Sequence, residues 1–444
     1  MAIEDNASIA MIPAAYGAEK VYSVIPSNGD GDFTFDRNSS ATRINKGGFI
    51  EVVGTDVPRL SYPLIDGVVQ SCPHLILERG RTNYVTDTED FSVSGWIKSA
   101  ATATLDSSAI APDGTAGVYQ FAPDTTNNNH QLRMENLNTN GDDVVFSVFA
   151  KAGTERYLRL RVGNTTDNPR VWFDLEDGIV ENEDVAGTGK IENYGNGWFR
   201  CIVINESNTL SGSNGQAQFF IQNQSSLGST GQTTYTGDAS KHVYLWGAQW
   251  ENTLPFPTTY LPSVSGIAAS RSVESCEDSG TADDFNDSEG VLFAEAGGWD
   301  DRTDVRMITI SDSGTSSAVN SIRINWHNST SLFFQKYSGS TRTTNLSTTL
   351  IKKDLINKIA VRYDATSVDV FCNGIKILTN PDTSSFTNSI NTLSLSGNIA
   401  SAYFYGKVKQ TLVFKNALSD SDLVSLTSWD SFNDMAKSQE FKVI

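Results

Sequence analysis

Carboxylate side chains are the groups of this chain with the clearest potential for chemistry. They gather near the ends of predicted strands in two groups: Asp174, Glu176, Glu181 and Glu183, and then Asp300, Asp301 and Asp304. A glycosidase places two carboxyl groups about 5–9.5 Å apart around the scissile bond. Acids scattered over strand ends are more often solvated surface groups, so we predict that the chain is not an enzyme and has no catalytic residue.

Histidine and cysteine follow no catalytic or metal-binding pattern. No histidine lies in a Gly-x-Ser-x-Gly or metal-ligand context, and we expect surface or interface positions for all of them: His74, His130, His242 and His327. The cysteines lack the paired spacing of a zinc site: they are Cys72, Cys201, Cys276 and Cys372. Cys201 and Cys372 lie inside apolar strand-like runs, where a buried free thiol is the expected state.

The stretch Asn28 to Asp32, NGDGD, is similar to the start of an acidic calcium loop. Such a loop needs Gly at its sixth position and Glu at its twelfth, where this chain has Phe33 and Ser39. We therefore interpret the stretch as a hairpin turn, and we predict no metal ligand and no cofactor. The sequence leaves open whether backbone carbonyls of a sandwich hold structural calcium.

Aromatic side chains are the remaining candidates for ligand binding, because an exposed ring offers a flat apolar surface to a sugar. Trp299, Trp326 and Tyr337 lie beside turns rich in Asp, Asn and Ser, and we predict these three as the ligand-binding residues. Other tryptophans lie within alternating strands, which favours burial in a core: Trp172, Trp198 and Trp246. Trp250 follows the same alternation and is a candidate for a subunit contact.

Length and charge limit the classes of function. The chain has 444 residues, whereas single cores stop growing near ~250–300 residues, so several domains are expected. The 52 acidic residues outnumber the 33 basic ones and give a net charge of −19, which disfavours nucleic acid as a partner. No apolar run approaches the roughly 18 residues of a membrane span. The N-terminus lacks the basic and apolar regions of a signal peptide, which predicts synthesis in a host cytoplasm and release by lysis.

Short alternating runs bounded by Gly, Asn, Asp and Ser predict an all-β fold. We expect a small hairpin-rich N-terminal module followed by two successive jelly-roll or sandwich domains. The predicted segments are a hairpin-rich N-terminal module (1–85), a jelly-roll (86–271), an acidic linker (272–290), a second sandwich (291–430) and a C-terminal tail (431–444). The tail is polar and is expected to fray or to dock on a partner.

Several local elements are specific enough to be tested one by one. Alternation predicts strands at 144–152, 157–163, 170–178, 198–205, 217–223 and 242–251. Hairpin turns are predicted at residues 45–48 and at Asn373-Gly374, because Asn and Gly accept positive φ. Ser419, with Asp422 three residues on, predicts a capped helix.

The first segment contains FTFDRNSSATRINKGGFIEVVGTDVPRLSYP followed by CPHLILERGRTNYV. These residues resemble the N-terminal region of bacteriophage virion proteins of the structural or tail-fibre type, with the pattern R-x-S-x-A-T-R-x-N … G … E … P-R-x-x-Y … L-L-L-E … R-T-N. Arg79-Gly80 replaces the usual Pro after the Glu. The resemblance implies a location in the virion, a role in anchoring or oligomerisation, and other virion proteins as partners.

Two further sets of residues resemble known β-sandwich modules. FSVSGW, FSVFAKAGT, NGWFRC and YLWGAQWE resemble a carbohydrate-binding-like jelly-roll. GVLFAEA, KIAVRYDATSVDVFCNGIKI and FYGKVKQTLVFKNALSDSDL are similar to concanavalin-like, laminin-G-type sandwiches. Both are framework patterns, which imply a fold without naming a ligand.

These features favour a fibre or spike protein at the virion surface that displays sandwich modules to host-surface glycans. The resemblance implies a homo-oligomer, expected to be a trimer. The alternative is a structural capsid or tail component whose sandwiches contact only other proteins. A polysaccharide-degrading enzyme is the third hypothesis, and it requires a cleft with two or more acids.

Overall fold

The computed structural model describes residues 2–13, 20–140, 143–165, 167–185, 187–206, 209, 212–224, 234–264, 266–299, 306–313, 319–327, 331–396 and 403–441. Within these ranges strands dominate and helices are short, which confirms the predicted all-β fold. No helix in the same ranges is long and apolar enough to cross a membrane.

The strands of the first segment are short: β1 (Ile9–Met11), β2 (Ser23–Ile25), β3 (Thr34–Asp36), β4 (Ala41–Ile44), β5 (Ile50–Val53), β6 (Arg59–Ser61), β7 (Leu64–Ile65), β8 (Val68–Val69), β9 (His74–Leu77) and β10 (Arg81–Asn83). Longer strands follow: β11 (Ile97–Ser99), β12 (Ala101–Ile110), β13 (Ala116–Pro123), β14 (Asn127–Asn128), β15 (Gln131–Leu137), β16 (Val144–Ala152), β17 (Tyr157–Gly163), β18 (Arg170–Asp174), β19 (Ile179–Glu183), β20 (Gly189–Gly195), β21 (Trp198–Asn205), β22 (Gly215–Gln222), β23 (Tyr235–Thr236) and β24 (Val243–Asn252).

The last part of the chain contains β25 (Ala269–Arg271), β26 (Ser275–Glu277), β27 (Gly290–Gly298), β28 (Arg306–Ser311), β29 (Ser321–His327), β30 (Ser331–Ser338), β31 (Thr341–Thr348), β32 (Asn357–Tyr363), β33 (Ser367–Cys372), β34 (Ile375–Pro381), β35 (Thr392–Ser394) and β36 (Gly406–Phe414). The helices are α1 (Asp420–Thr427) and α2 (Phe432–Ser438), with short 3₁₀ helices at Ile3–Asn6 and Ala282–Asp284.

The jelly-roll is a sandwich of two six-stranded sheets, ordered β11-β15-β22-β17-β18-β19 and β12-β13-β24-β16-β21-β20. Alternate residues of both sheets meet in an apolar core that includes Phe146, Phe219 and Trp250, and burial of this surface holds the layers together. The predicted strands are confirmed, although the third ends at Asp174 rather than at residue 178. Trp250 is a core residue, so its interpretation as a subunit contact is wrong.

The second sandwich combines C-terminal and N-terminal strands. One sheet has the order β31-β30-β29-β28-β35. The facing sheet has the order β2-β1-β36-β27-β32-β33-β34, with β9 and β6 attached beside β36. Ile9 and Trp326 share the core between them, and Leu423 of α1 packs on the outer face of the larger sheet. The Ser419 hydroxyl accepts a hydrogen bond from the Asp422 amide, which confirms the predicted cap.

The first segment packs into both sandwiches. Its β1, β2, β6 and β9 extend the larger sheet of the second sandwich, while Ile50 of the β4–β5 hairpin packs on Trp198 and Trp246 of the jelly-roll. This arrangement differs from the expected separate module, because short strands cannot bury an apolar face alone and use the neighbouring sheets instead. The boundaries predicted at residues 85, 271 and 430 stay predictions about folding units.

Residues 272–290, predicted as an acidic linker, are packed into the fold. Cys276 lies in the core of the second sandwich, and β26 pairs with β3. Glu274 is 0% exposed and is neutralised by Arg37 and Arg59. The interpretation of this segment as a solvated linker is therefore wrong, because Cys276 lies in the core and Glu274 has buried cationic partners far away in the sequence. The tail also docks on its own chain, since the Glu440 carboxylate contacts Lys407.

The turn predictions are confirmed with one exception. β4 and β5 pair around residues 45–48. β33 and β34 pair around Asn373 and Gly374, whose φ angles are 48° and 84°; positive φ at both central residues is the type I′ geometry. Asn28 to Asp32 also form a turn, but β2 pairs with β1 and β3 with β26. Across that turn the flanking runs form a single antiparallel bridge, between Val21 and Phe33, rather than the longer paired strands of the predicted hairpin.

Candidate functional site

A cluster of buried charges lies where the first segment and the two sandwiches meet. The Glu274 carboxylate is bound by Arg37 at 2.9 Å and by Arg59 at 2.8 Å. Arg59 also contacts Glu78 at 2.8 Å, and Arg271 approaches the Glu78 carboxylate at 3.0 Å. All five side chains are at most 4% exposed. Because a charge removed from water is costly unless it is paired, these ion pairs hold the segments together.

The cluster contains several residues of the sequence pattern noted in the first segment. Arg37, Arg59 and Glu78 belong to the R-x-S, P-R-x-x-Y and L-L-L-E parts of that pattern. Asn83 of R-T-N accepts a hydrogen bond from the Trp250 amide at 2.9 Å. The pattern therefore specifies a junction, and the segment predicted as a linker supplies the partner charges.

The Glu78 carboxyl makes this junction sensitive to acid. Burial raises its pKa, but Arg271 and Arg59 lower it more, so that the pKa is about 2. The ordinary value for Glu is about 4.3. A depressed pKa means that the ionised carboxylate stabilises the fold fully above the ordinary value, and that this stabilisation is lost as the pH falls towards the folded-state pKa.

We expect the free energy of unfolding to fall between about pH 5 and pH 2, with Glu78 contributing on the order of 3 kcal/mol. The measurement is urea denaturation across this range for the wild type and for Glu78→Gln. The neutral variant is expected to be less stable at the upper end and to lose less stability on acidification. Parallel pH profiles for the two proteins would contradict the role given to Glu78.

A cleft of about 750 Å³ adjoins the charge cluster and is walled by the first segment and both sandwiches. Its lining includes Tyr62, Asp66 and His74, then Glu192, Asn193 and Tyr194, and then Trp299, Lys407 and Glu440. The buried Glu78 also lines it, so the cleft and the charge cluster share a wall. The volume lies within the roughly 300–1,000 Å³ of small-molecule sites.

Two tight turns bring the first segment against the jelly-roll at the edge of the cleft. Asn193 Nδ2 donates to the Asp66 carboxylate at 3.2 Å. A Cβ added to Gly195 would lie 2.6 Å from the Gly67 carbonyl oxygen. Both glycines have positive φ, 76° and 78°, which glycine adopts without strain. A side chain at Gly195 would therefore push the two turns apart and open this wall.

Trp299 is the predicted ligand-binding residue that the structure places in the cleft. It is half-buried, and its indole Nε1 donates to the Leu77 carbonyl at 3.0 Å. The Lys407 ammonium lies 5.1 Å from its ring centroid, within cation–π range. The ring is thus held in a fixed orientation while part of its surface stays accessible.

A lysine, a carboxylate and a histidine lie beside this ring. The Glu440 carboxylate contacts the Lys407 ammonium at 2.5 Å, and its other oxygen lies 3.6 Å from His74 Nδ1. Burial, together with Lys407 and Lys409, lowers the pKa of His74 to about 2. His74 is therefore neutral near pH 7 and is suited to hydrogen bonding rather than to charge pairing.

The described lining of the cleft is acidic. It includes six carboxylates and two cationic side chains: Asp66, Glu78, Glu176, Asp177, Glu192 and Glu440, against Arg200 and Lys407. This balance disfavours anionic ligands, whereas carboxylates are strong acceptors for hydroxyl groups. The chemistry fits a neutral, hydroxyl-rich ligand that stacks on an aromatic ring.

The other two predicted ligand-binding residues lie outside the cleft. Trp326 is 1% exposed and packs against Phe404 with ring centroids 4.8 Å apart. Its prediction as a ligand-binding residue is wrong, because its position in the alternation of β29 directs it into the core. Tyr337 is half-buried, and the Arg323 guanidinium lies 4.0 Å from its ring centroid. A ligand-binding role for Tyr337 stays a prediction.

The acidic candidates of the sequence are dispersed. Asp174 is buried and paired with Arg156, and Glu176 lies at the edge of the cleft. The second predicted group lies outside the described residues: Asp300, Asp301 and Asp304. Within the described ranges, no three His, Cys, Asp or Glu residues are grouped so that they could hold a metal ion.

Cys201 and Cys372 are buried, as predicted, whereas two histidines that were expected at a surface or an interface are buried as well. Cys201 and Cys372 are buried free thiols, and burial raises the pKa of both. His74 and His130 are buried rather than at the surface. The ring nitrogens of His130 lie 2.6 Å and 3.0 Å from two main-chain carbonyls. The N–H of a neutral ring donates to one of them, and this hydrogen bond helps to compensate for the burial.

Most residues of the cleft were missed by the sequence analysis. Tyr62 follows Arg59 in the P-R-x-x-Y part of the resembling pattern, which was the available signal for this wall. No sequence pattern marked Lys407 or Glu440 as a residue of the cleft. They are separated by 33 residues, and the tail that holds Glu440 was expected to fray.

Part of the chain is similar to a known protein family. Residues 296–424 match the laminin-G family model described as the concanavalin A-like lectin/glucanases superfamily, which supports the predicted sandwich in that region. The match covers less than a third of the chain. A comparison with curated protein sequences finds no match.

Solved structures share a low level of similarity with the chain. CBM40 of the Ruminococcus gnavus IT-sialidase, bound to α2,3-sialyllactose, is 15% identical with a TM-score of 0.27, over 34% of this chain and 94% of that one. Domain 4 of an extracellular arabinanase from Geobacillus stearothermophilus, in complex with arabinotriose, is 14% identical with a TM-score of 0.28, over 35% and 73%. The NanB sialidase of Streptococcus pneumoniae is 13% identical with a TM-score of 0.28, over 32% and 24%. Similarity at this level assigns no ligand to the chain.

Proposed function

We propose that this chain is a bacteriophage fibre or spike protein that binds a neutral host-surface glycan in the cleft around Trp299. The observation that carries the glycan part is the combination of an accessible indole ring with hydroxyl-accepting carboxylates in one cleft. The resemblance of residues 33–85 to virion proteins supports a place at the virion surface. The chain binds without catalysis and assembles as a homo-oligomer, a trimer according to that resemblance, with other virion proteins as partners.

Glycan binding is expected to depend on Trp299. Trp299→Ala removes the stacking surface and is expected to weaken affinity at least about tenfold, as for a central aromatic contact of about 2 kcal/mol. The measurement is isothermal titration calorimetry with a neutral glycan selected on a glycan array. Phe432→Ala is the matched control, because it removes an exposed aromatic ring that lies outside the cleft, and circular dichroism checks that both variants are folded.

Two outcomes would contradict the proposal. A stable oligomer in light scattering that gives no glycan signal would favour the alternative, a capsid or tail component whose sandwiches contact only proteins. Release of new reducing ends from a host polysaccharide would show that the cleft catalyses hydrolysis.

A further inference from the structure

An outer face of the jelly-roll carries arginines that stand out in this acidic chain. The face belongs to the sheet β11-β15-β22-β17-β18-β19. Arg159 and Arg161 of β17 lie on this face, since the alternate residues Leu158 and Leu160 point into the core. Arg161 is opposite Arg170 of β18 in the sheet register. We call this surface the arginine face.

Arg159 is buried on the arginine face. None of the described residues forms an ion pair with it, although the charge of Asp184 partly offsets its burial. Its side chain is 3% exposed, and its guanidinium carbon lies 3.6 Å from the ring centroid of Phe220 and 5.5 Å from that of Trp172. Among the described residues, its guanidinium has no hydrogen bond or ion pair, and its buried Nε has no acceptor. Burial, Arg170 and Arg161 together lower the pKa of Arg159 to about 9.

Two neighbouring donors are also unsatisfied. Trp172 is directly opposite Arg159 in the register, and its buried Nε1 has no acceptor in the described part of the chain. The buried Nε of Arg161 is likewise without an acceptor there. Other arginines of the face differ, since Arg170 is paired with Asp184. Three unsatisfied donors therefore lie on adjacent strand positions.

Such an arrangement is costly unless something supplies the acceptors. Nearly all buried polar groups in folded proteins are hydrogen-bonded, and an unpaired buried charge is strongly destabilising. A planar guanidinium matches the two oxygens of a carboxylate in a bidentate contact. Amide side chains that could hold hydroxyl groups lie two strands from Arg159 in the same register row, Gln131 beyond Phe220 and Asn182 beyond Trp172.

We propose that the arginine face binds the carboxylate of an acidic sugar, with the guanidinium groups of Arg159 and Arg161 donating to its oxygens. The ligand differs in charge from the neutral glycan of the cleft. The site is independent of the proposed function, because none of its residues lines the cleft. Either proposal can therefore fail without the other.

The test uses the full chain and methyl β-D-glucuronide, with methyl β-D-glucoside as the neutral match. The wild type is expected to bind the glucuronide and not the glucoside in ligand-observed NMR. Arg159→Met keeps an unbranched apolar stem without the charge and is expected to weaken glucuronide binding about tenfold or more. Arg133→Met is the matched control, because Arg133 lies on the same face but is already paired with Glu135 at 2.7 Å.

A thermal measurement separates a ligand site from a packing role. Without ligand, Arg159→Met is expected to unfold at a temperature equal to or above that of the wild type, because the unpaired charge is gone. Glucuronide is expected to raise the unfolding temperature of the wild type and of Arg133→Met, but not that of Arg159→Met. If the wild type binds sulfate as strongly as it binds glucuronide, the sugar assignment is overturned and the face is a general oxyanion site. Equal binding of glucuronide and glucoside, or of neither, would overturn the proposal.

Discussion

Replacing Glu274 with glutamine is expected to lower the free energy of unfolding by about 3–5 kcal/mol. The substitution keeps the shape of the side chain but removes the charge that neutralises Arg37 and Arg59, both 0% exposed. Arg59 keeps Glu78 as a partner. The Arg37 guanidinium keeps hydrogen bonds to neutral acceptors such as the Val57 carbonyl, and Asp56 is bound by the Arg37 backbone amide instead. Urea denaturation with linear extrapolation measures the loss.

Glu51→Gln is the matched control for this variant. Glu51 is an acid of the first segment that pairs with Arg43 at 2.6 Å, but its carboxylate is 35% exposed. A solvent-exposed ion pair contributes at most about 1 kcal/mol. Losses of equal size in the two variants would show that burial of the charge cluster is not what stabilises the junction. Because Glu78 both shares Arg59 with Glu274 and lines the cleft, Glu274→Gln is also expected to weaken glycan binding.

Trp326→Ala is expected to cost about 3–5 kcal/mol of stability, because it opens a cavity in a packed core. Trp326 lies between the two sheets of the second sandwich, where it contacts Phe404. Tyr337→Ala is the control from the adjacent strand, and its half-buried ring is expected to contribute much less. The measurements are urea denaturation and glycan titration at a temperature where the variant remains folded.

The result for Trp326 also decides between two interpretations of the same residue. A large loss of stability with unchanged glycan affinity is expected for a core side chain. Wild-type stability combined with lost glycan binding would instead mean that a ligand reaches the ring, and it would restore the role suggested by the neighbouring turn residues.

The charge cluster holds together the parts of the chain that line the cleft. The cleft is lined by residues of the first segment, the jelly-roll and the second sandwich. The buried ion pairs of Arg59 with Glu78 and Glu274 lie at the same junction. Acid, or loss of one partner, is therefore expected to affect stability and binding together. The arginine face lies within the jelly-roll alone and is expected to respond less to changes at the junction.

Local sequence determined the strands and turns of this protein. The strands Val144–Ala152 and Tyr157–Gly163 match the alternating runs residue for residue, because the period of side-chain direction is a property of the strand itself. The turn at Asn373-Gly374 followed from the residues that accept positive φ. The resemblance of the first segment was likewise local, although it did not reveal that its arginines are buried.

Only the tertiary structure decided where charges meet and which rings are accessible. Glu274 and Arg59 are 215 residues apart, and their pairing depends on the order of strands in the sheets, which local periodicity does not encode. Trp299 and Trp326 stand beside similar turn residues, yet one lines a cleft and the other fills a core. A shift of one residue in a strand exchanges its two faces, so the accessible ring could be identified only once the packing of the sheets was known.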